Sequence, residues 1–494
     1  MSRRNACVFL VLAFCLLPGL ARAQQTPWIA VAADGYTGKV LFFTVPGLKL
    51  VKAVRVGTDI SDVIVTADAK FAFAADKADN RIVKLDLSSF SASAIELPLN
   101  TGPSALALSP DGKYLFVAGA LDGSVARIDL AANQAQVASL QLSPAAATSV
   151  SVSADDKTCF VTDMINDHLA VFSTDPFALT KKLTLGHAPQ SQAQCAGNIC
   201  AVTNRLNCVM SFVDAAALKN TGDIETAALP LFVTPSPDGK SAYECAQLGN
   251  VVSQVDIAKR EVVNQFSADA RPHACAVTPD AKFLVVSNAY APDAIRQAFA
   301  AKSGTAVIPP TALQVIDLAS GKPRPAVPVP GDVQGGIRLV SAEKLGAWAS
   351  AAGEDLLPQA QAATLDIARD EKVPLEFGEA VTGAPRVDLS SDPVVVYLKT
   401  FSYMFVPATI QVYQGAHVRI LITNVDDRAA FTRDEDVVHG FCINGYGPQT
   451  NVVVPKGKTA AFTFTADKAG TFQFYCSRSC GPMHRLMRGK LVVQ

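Results

Sequence analysis

The sequence predicts an all-β protein, a seven-bladed β-propeller followed by a Greek-key β-sandwich, with an eighth blade left open. Three observations predict it. A short phrase recurs about every 42 residues through the first two thirds of the chain. The 31 glycines and 29 prolines fall between short apolar runs, the texture of many strands joined by turns. Near residue 391 that texture gives way to alternating strands such as Val418-Arg419-Ile420-Leu421-Ile422.

The phrase reads T-A-D-A-K at Thr66–Lys70, S-P-D-G-K at Ser109–Lys113 and S-A-D-D-K at Ser153–Lys157. It returns as S-P-D-G-K at Ser236–Lys240 and T-P-D-A-K at Thr278–Lys282. The steps are 43, 44, 83 and 42 residues, the long one being a double step with a worn copy near Ala196-Gly197-Asn198. A four-stranded propeller blade takes roughly 40–45 residues. Within each unit an apolar strand precedes the phrase, another follows it, and a third ends in an acidic residue, as in Ile82-Val83-Lys84-Leu85-Asp86. Such a sheet is too small to bury both faces alone, so the units must stack around an axis. Trp28 to Ala33 looks like a second strand lacking its first, and Gly336 to Val340 looks like a first strand that closes the ring. That gives seven blades; Ala363-Thr364-Leu365-Asp366-Ile367 is the candidate for an eighth, and Ala291 to Thr311 reads as an insertion. Over about 28–356 the repeats resemble the extracytoplasmic propellers named for a Tyr-Val-Thr-Asn motif. That resemblance speaks to fold and not to activity.

The domain reading is a signal peptide at 1–23, a propeller at 24–352, a linker at 353–390 and a sandwich at 391–494. Arg3 and Arg4 precede an apolar run from Ala6 to Leu20, and Ala21-Arg22-Ala23 fits small-x-small cleavage. The run is short for a span, and Ser2-Arg3-Arg4 leaves Sec and Tat both open. The expectation is a periplasmic protein with no transmembrane segment in its mature chain. A net charge of -1 with 18% charged residues gives no sign of a nucleic-acid partner. Of the 11 cysteines, Cys7 and Cys15 leave with the signal. Cys195 with Cys200 is a candidate disulfide, and Cys159 with Cys208 or Cys245 with Cys275 are weaker ones; a buried apolar thiol competes in each case.

The chemistry sits at the C-terminus. The strand Gly470–Tyr475 runs into C-S-R-S-C-G-P-M-H-R-L-M from Cys476 to Met487, and His439 stands upstream in D-V-V-H-G-F. Thiolate and thioether are soft ligands that select copper, and imidazole suits it. One Cys, two His and a Met would make a mononuclear blue site. A second Cys four residues away, Cys480, lets two thiolates bridge a metal pair, with His439 and His484 as outer ligands and Met487 and a loop carbonyl as weak ones. A Cys476–Cys480 disulfide and a zinc site are the competing readings; Met487 and the strand-to-loop setting speak against zinc.

From about Phe401 to Val493 the chain resembles the CuA (cupredoxin) domain of nitrous oxide reductase. The stretches D-V-V-H-G-F-C, A-D-K-A-G-T-F-Q-F-Y-C and H-R-L-M-R-G-K carry the resemblance. The CuA domain of cytochrome c oxidase subunit II shares the C-x-x-x-C-x-x-x-H-x-x-M loop. The resemblance implies a dinuclear copper centre bridged by Cys476 and Cys480. It places His439 and Met487 on one copper, and His484 with the backbone oxygen of Arg478 on the other. Relatives usually have Trp or Glu at position 478, so Arg478 brings an extra positive charge, with consequences for potential and docking surface.

Nitrous oxide reductase also joins a propeller to a CuA domain, but its catalytic cluster takes seven histidines from the propeller. This propeller has His168, His187 and His273. His168 reads as an exposed turn residue, His187 and His273 lie near the expected axis, and His417 reads as surface. Nitrous oxide reduction is therefore not carried over. No haem motif, dinucleotide fingerprint or phosphate loop is present. The expectation is a single-electron carrier served by a redox protein such as a c-type cytochrome, the propeller being a docking platform, with a homodimer left open. The alternatives are an oxidoreductase with a site on the propeller, and a non-catalytic copper-binding module.

Overall fold

The computed structural model describes residues 28–268, 271–289, 311–329, 333, 335–350, 376–401, 403–426, 439–478 and 486–494. The signal stretch, most of the insertion, the candidate eighth-blade segment, Cys480 and His484 lie outside these.

Seven four-stranded antiparallel sheets form the N-terminal part. The recurring phrase makes the turn between the first two strands of a blade. In Ser109–Lys113 the Ser109 hydroxyl donates to Asp111 (2.7 Å), the Asp111 carboxylate accepts the Lys113 N–H (3.0 Å), and Ser109 Oγ accepts the Tyr114 N–H (2.9 Å). The acidic residue that ends the third strand in five of the blades does similar work before the fourth: Asp129 accepts the N–H groups of Ala131 and Ala132, and Asp256 those of Ala258 and Lys259. In the worn copy, Gly197 takes φ 71°, so a short 3-10 turn over Ala196–Asn198 replaces the phrase.

The ring closes as the sequence suggests. Ile337–Ser341 is the inner strand of the first blade, pairing with Trp28–Asp34 from Trp28 opposite Ser341 to Ala32 opposite Ile337. Asp62 fastens the closure. Its carboxylate accepts the Gly336 N–H (3.1 Å) and the Leu106 N–H (2.9 Å) and lies 3.4 Å from the Arg338 guanidinium. Inner strands pack against inner strands around the axis, stitched by the Ser61 hydroxyl to the Pro103 carbonyl (2.6 Å) and the Ser104 hydroxyl to the Ala147 carbonyl (2.9 Å).

The C-terminal part is a two-sheet sandwich. One sheet runs Glu376–Glu379, Lys458–Ala466, Ala416–Asn424, Val394–Phe401 and Arg386–Asp388; the other runs Thr409–Val412, Arg488–Val493, Gly470–Tyr475, His439–Ile443 and Val452–Val454. Val394–Phe401 alternates buried and half-buried residues, as one face against a core requires. Glu376–Glu379 and Arg386–Asp388 fall within the stretch read as linker, yet they pair with Lys458–Ala461 and Val395–Tyr397. Both are short edge strands without apolar alternation, so they carry no strand signal of their own.

The candidate disulfides do not form. Cys159, Cys195, Cys200, Cys208, Cys245 and Cys275 are all free thiols, and the fully buried ones pack in the interblade cores. No helix among the described residues is long and apolar enough to cross a membrane.

Candidate metal centre

Cys476 follows the strand Gly470–Tyr475 and Met487 precedes Arg488–Val493, and these strands pair with Tyr475 opposite Arg488. That register brings the Cys476 N–H to the Met487 carbonyl at 3.1 Å. Both side chains belong to the sandwich core, Met487 fully buried. His439 begins the neighbouring strand, which pairs Cys442 with Tyr475. Gly440 permits this approach: a Cβ there would stand 2.4 Å from Ser477 Oγ and 2.8 Å from Arg478 N.

The donors converge. Cys476 Sγ accepts the Gly440 N–H at 3.3 Å and donates to the Arg478 carbonyl at 3.2 Å, so that carbonyl is directed at the sulfur. The His439 ring is 1% exposed. Its Nε2 lies 3.3 Å from Asp426 Oδ2, whereas its buried Nδ1 makes no hydrogen bond within the described residues. Burial works against protonation of this ring, but the Asp426 carboxylate and the Cys476 sulfur outweigh it and raise the pKa to about 9. The pocket therefore favours a positive charge at the imidazole. A metal-ligating histidine typically spends its second nitrogen on a carboxylate, fixing tautomer and ring orientation. A buried ring nitrogen beside a thiol, a buried thioether and a directed carbonyl fit a copper ion. Among the described residues no group of three His, Cys, Asp or Glu side chains is arranged to hold a metal ion by itself; Cys480 and His484 lie outside them.

Asp426 escaped the sequence reading. It stands 13 residues before His439 in an ordinary D-D-R run, with no spacing rule to mark it.

The strand end before Cys476 and the turn at Asn444 also face the propeller. The Tyr475 hydroxyl donates to Asp59 Oδ2 at 2.9 Å, and Lys77 Nζ lies 3.0 Å from the same oxygen. Asn444 accepts from Asn80 (2.6 Å) and from the Asn100 N–H (2.9 Å), and donates to the Lys77 carbonyl (2.8 Å). Ala78, Leu121, Cys442 and Tyr475 form an apolar patch between the two domains. A small cavity of about 40 Å³ touches Cys476, Asp59, Lys77, Ser61 and Ser104. The Arg478 guanidinium lies over the Tyr36 ring, 4.7 Å from its centroid, and is buried. Its charge thus belongs to the interdomain contact and adds nothing to an exposed docking surface, contrary to expectation.

The other histidines separate. His417 is exposed, 3.3 Å from the Thr465 hydroxyl, as expected. His168 is half-buried with its Nδ1 enclosed, against the expectation of an exposed turn, because it begins the strand His168–Ser173. His187 stands largely exposed with Nδ1 2.8 Å from Asp167 Oδ2, while His273 is buried on an inner strand.

Residues 384–493 match the family described as a cupredoxin-like domain, and residues 57–194 that described as lactonase, 7-bladed beta-propeller. Nitrous-oxide reductase of Pseudomonas fluorescens is 33% identical over 109 residues, covering 22% of this chain and 16% of that protein. Nitrous-oxide reductase of Stutzerimonas stutzeri is 29% identical over 133 residues, covering 27% and 19%. The chain thus spans less than a fifth of the length of these reductases. Cytochrome c oxidase subunit 2 of Thermus thermophilus is 30% identical over 108 residues, which is 22% of this chain and 71% of that one. A functionally unknown protein from Desulfotomaculum acetoxidans shares the fold over 63% of this chain and 98% of its own, with a TM-score of 0.52 and 14% identity.

Proposed function

We propose, from the premise that this chain belongs to the cupredoxin-like family alongside cytochrome c oxidase subunit 2, that it is a single-electron carrier with a dinuclear copper centre of the CuA kind. The observation that carries the reading is the division of labour on His439, one nitrogen held by Asp426 and the other buried beside Cys476 with no hydrogen bond among the described residues. His439, Cys476, Met487 and the Arg478 carbonyl would hold the metal, with Cys480 as second bridge and His484 as second imidazole. A copper pair so held supplies a one-electron donor and acceptor whose charge is shared between two ions. The sandwich keeps the ligands still: Cys476 and Met487 are packed in its core and the His439 ring is fixed by Asp426, so little rearranges as charge changes. Burial excludes water from the sulfur.

A soluble redox protein such as a c-type cytochrome is the proposed partner, and the periplasm the proposed compartment, reached through the cleaved segment 1–23. A homodimer stays within this proposal. The test is purification with copper, then metal analysis and electron paramagnetic resonance. The expected result is two coppers per chain and hyperfine structure from two equivalent ions. A four-line, single-copper spectrum overturns the dinuclear reading, and loose, substoichiometric copper replaces it with a non-catalytic copper-binding module.

A second reading has its own support. The strand that leads into Cys476 lies against the propeller, with Tyr475 tied to Asp59. An oxidoreductase whose substrate site lies on the propeller, with the copper pair as electron port, would use this placement.

A further inference from the structure

The two residues that follow Cys476 are anchored to the propeller. Ser477 and Arg478 are both buried. The Ser477 hydroxyl donates to Asn451 Oδ1 at 2.8 Å, and the Asn451 amide donates in turn to the Thr58 carbonyl of the propeller at 3.3 Å. The Arg478 guanidinium lies on the Tyr36 ring, 4.7 Å from its centroid. One residue is thus held by a propeller turn directly, the other by a second turn through Asn451.

Those two turns form one ledge. Tyr36 sits in the hairpin between Trp28–Asp34 and Lys39–Val45, where Asp34 Oδ1 accepts the Tyr36 N–H at 2.9 Å and the Thr37 N–H at 3.2 Å. Thr58 lies in the crossing from the first blade to the second, where Asp76 Oδ1 accepts its N–H at 3.3 Å and that of Asp59 at 3.2 Å. The Gly38 carbonyl joins the turns by accepting the N–H groups of Val56 (2.9 Å) and Gly57 (3.0 Å). This close approach needs a glycine: residue 38 takes φ 69°, and a Cβ there would run into the Gly57 carbonyl.

The ledge holds the piece of backbone whose carbonyl lies 3.2 Å from Cys476 Sγ. A main-chain carbonyl lies in a rigid peptide plane, so its aim is set by whatever fixes the backbone around it. A planar guanidinium stacked on an aromatic face is fixed in position and in tilt, and burial makes such a contact stronger than an exposed one.

We propose that Tyr36 is a positioning residue of the metal centre, its ring and the Thr58–Asn451 link together fixing Ser477–Arg478 so that the Arg478 carbonyl stays aimed at Cys476. This role rests on the copper reading and gives the propeller a part that docking does not require, since the site is completed across the two domains.

The test uses the full chain with Tyr36→Ala, with Tyr36→Phe, which keeps the ring, and with Asn100→Gly. Asn100 makes a different contact between the domains, donating to the Thr471 carbonyl and accepting the Gln473 N–H, both at 2.9 Å, and at φ 67° it takes glycine without strain. In the reduced, metal-free protein Cys476 is alkylated with iodoacetamide and followed in the tryptic peptide Ala469–Arg478, where it is the only cysteine. Tyr36→Ala should speed this alkylation about tenfold, the factor that a buried cation–π contact supplies, with Tyr36→Phe and Asn100→Gly within about twofold of wild type. After copper loading, Tyr36→Ala should shift the hyperfine pattern and Tyr36→Phe should keep it. A wild-type alkylation rate in Tyr36→Ala, an equal acceleration in Asn100→Gly, or an unmoved hyperfine pattern in Tyr36→Ala overturns the proposal. Alkylation is read without metal, so it judges the hold of the propeller on this segment apart from the fate of the copper reading.

Discussion

The Tyr475 hydroxyl and the Asp59 carboxylate meet at 2.9 Å across the two domains, one residue before Cys476. Lys77 completes a triangle, 3.0 Å from Asp59 and 4.9 Å from the Tyr475 ring centroid. Burial raises the Tyr475 pKa well above its ordinary value, so the hydroxyl stays a donor. Tyr475→Phe removes one hydrogen bond and leaves Asp59 paired with Lys77, which should cost about 1 kcal/mol. Asp59→Ala leaves a buried hydroxyl and a largely buried ammonium without their acceptor, and should cost about 3 kcal/mol. Urea unfolding of the two variants checks the order. If Asp59→Ala proves the milder change, the triangle does not hold the domains together.

Much of this architecture was legible in the sequence, and the reasons are local. The Ser-x-Asp-x-Lys phrase is legible because its turn is made by its own side chains, as at Ser109 and Asp111. Closure by Ile337–Ser341 was legible because Trp28–Asp34 lacked a first strand. The meeting of Cys476 and Met487 was legible because they stand at the two ends of one short loop between paired strands. What escaped depends on distant partners. Asp426 meets His439, and Arg478 meets Tyr36 across hundreds of residues. Cys159 and Cys200 point into two apolar interblade cores, away from the partners proposed for them, while Cys245 and Cys275 share one core as free thiols, neither of which spacing can reveal.

Glu244 should make stability fall with rising pH. Blades four, five and seven place Val161, Val202 and Val286 at the position equivalent to Glu244. Its carboxyl is wholly buried, and burial raises its pKa from 4.5 to about 8, offset in part by the Thr226 hydroxyl. The folded chain therefore keeps a proton that the unfolded chain loses. Between about pH 4.5 and pH 8 the folded state binds more protons, so stability declines across that window and levels off above it. Glu244→Gln should remove this decline, and Glu244→Val should raise stability most at the alkaline end. Melting temperatures of the three proteins across the window check it. Parallel curves for wild type and Glu244→Gln contradict the assignment.

Asp426→Ala should leave His439 in place but free its ring. A carboxylate behind a ligating imidazole is typically worth about 10–100-fold in metal affinity. The expected outcome is copper affinity weakened by about that factor, with the propeller unaffected. Competition with a copper chelator measures it. His439→Ala should be more severe, since it removes the donor itself, and an Asp426→Ala protein that binds copper like wild type would mean that the 3.3 Å contact does not orient the ring.

Gly440→Ala tests whether close strand approach builds the site. The added methyl would stand 2.4 Å from Ser477 Oγ, 2.7 Å from Arg478 Cγ and 2.8 Å from Arg478 N. Ser477 Oγ is itself committed to Asn451 Oδ1 at 2.8 Å, so it cannot swing aside without breaking that bond. The Gly440 N–H also holds Cys476 Sγ, and pushing the strand away lengthens that contact. The expected result is loss of tight copper binding with little change in far-ultraviolet circular dichroism, because Gly440 lies in a sandwich strand and not in any of the seven propeller sheets. Gly378→Ala is the matched control. It lies in the same domain, and its new methyl would meet nothing within 4 Å, so its effect should stay within about 0.5 kcal/mol with copper bound normally. Equal copper affinity in the two variants would show that the loop has room to retreat. The directed carbonyl of Arg478 would then owe its aim to the loop alone, not to the strand beside it.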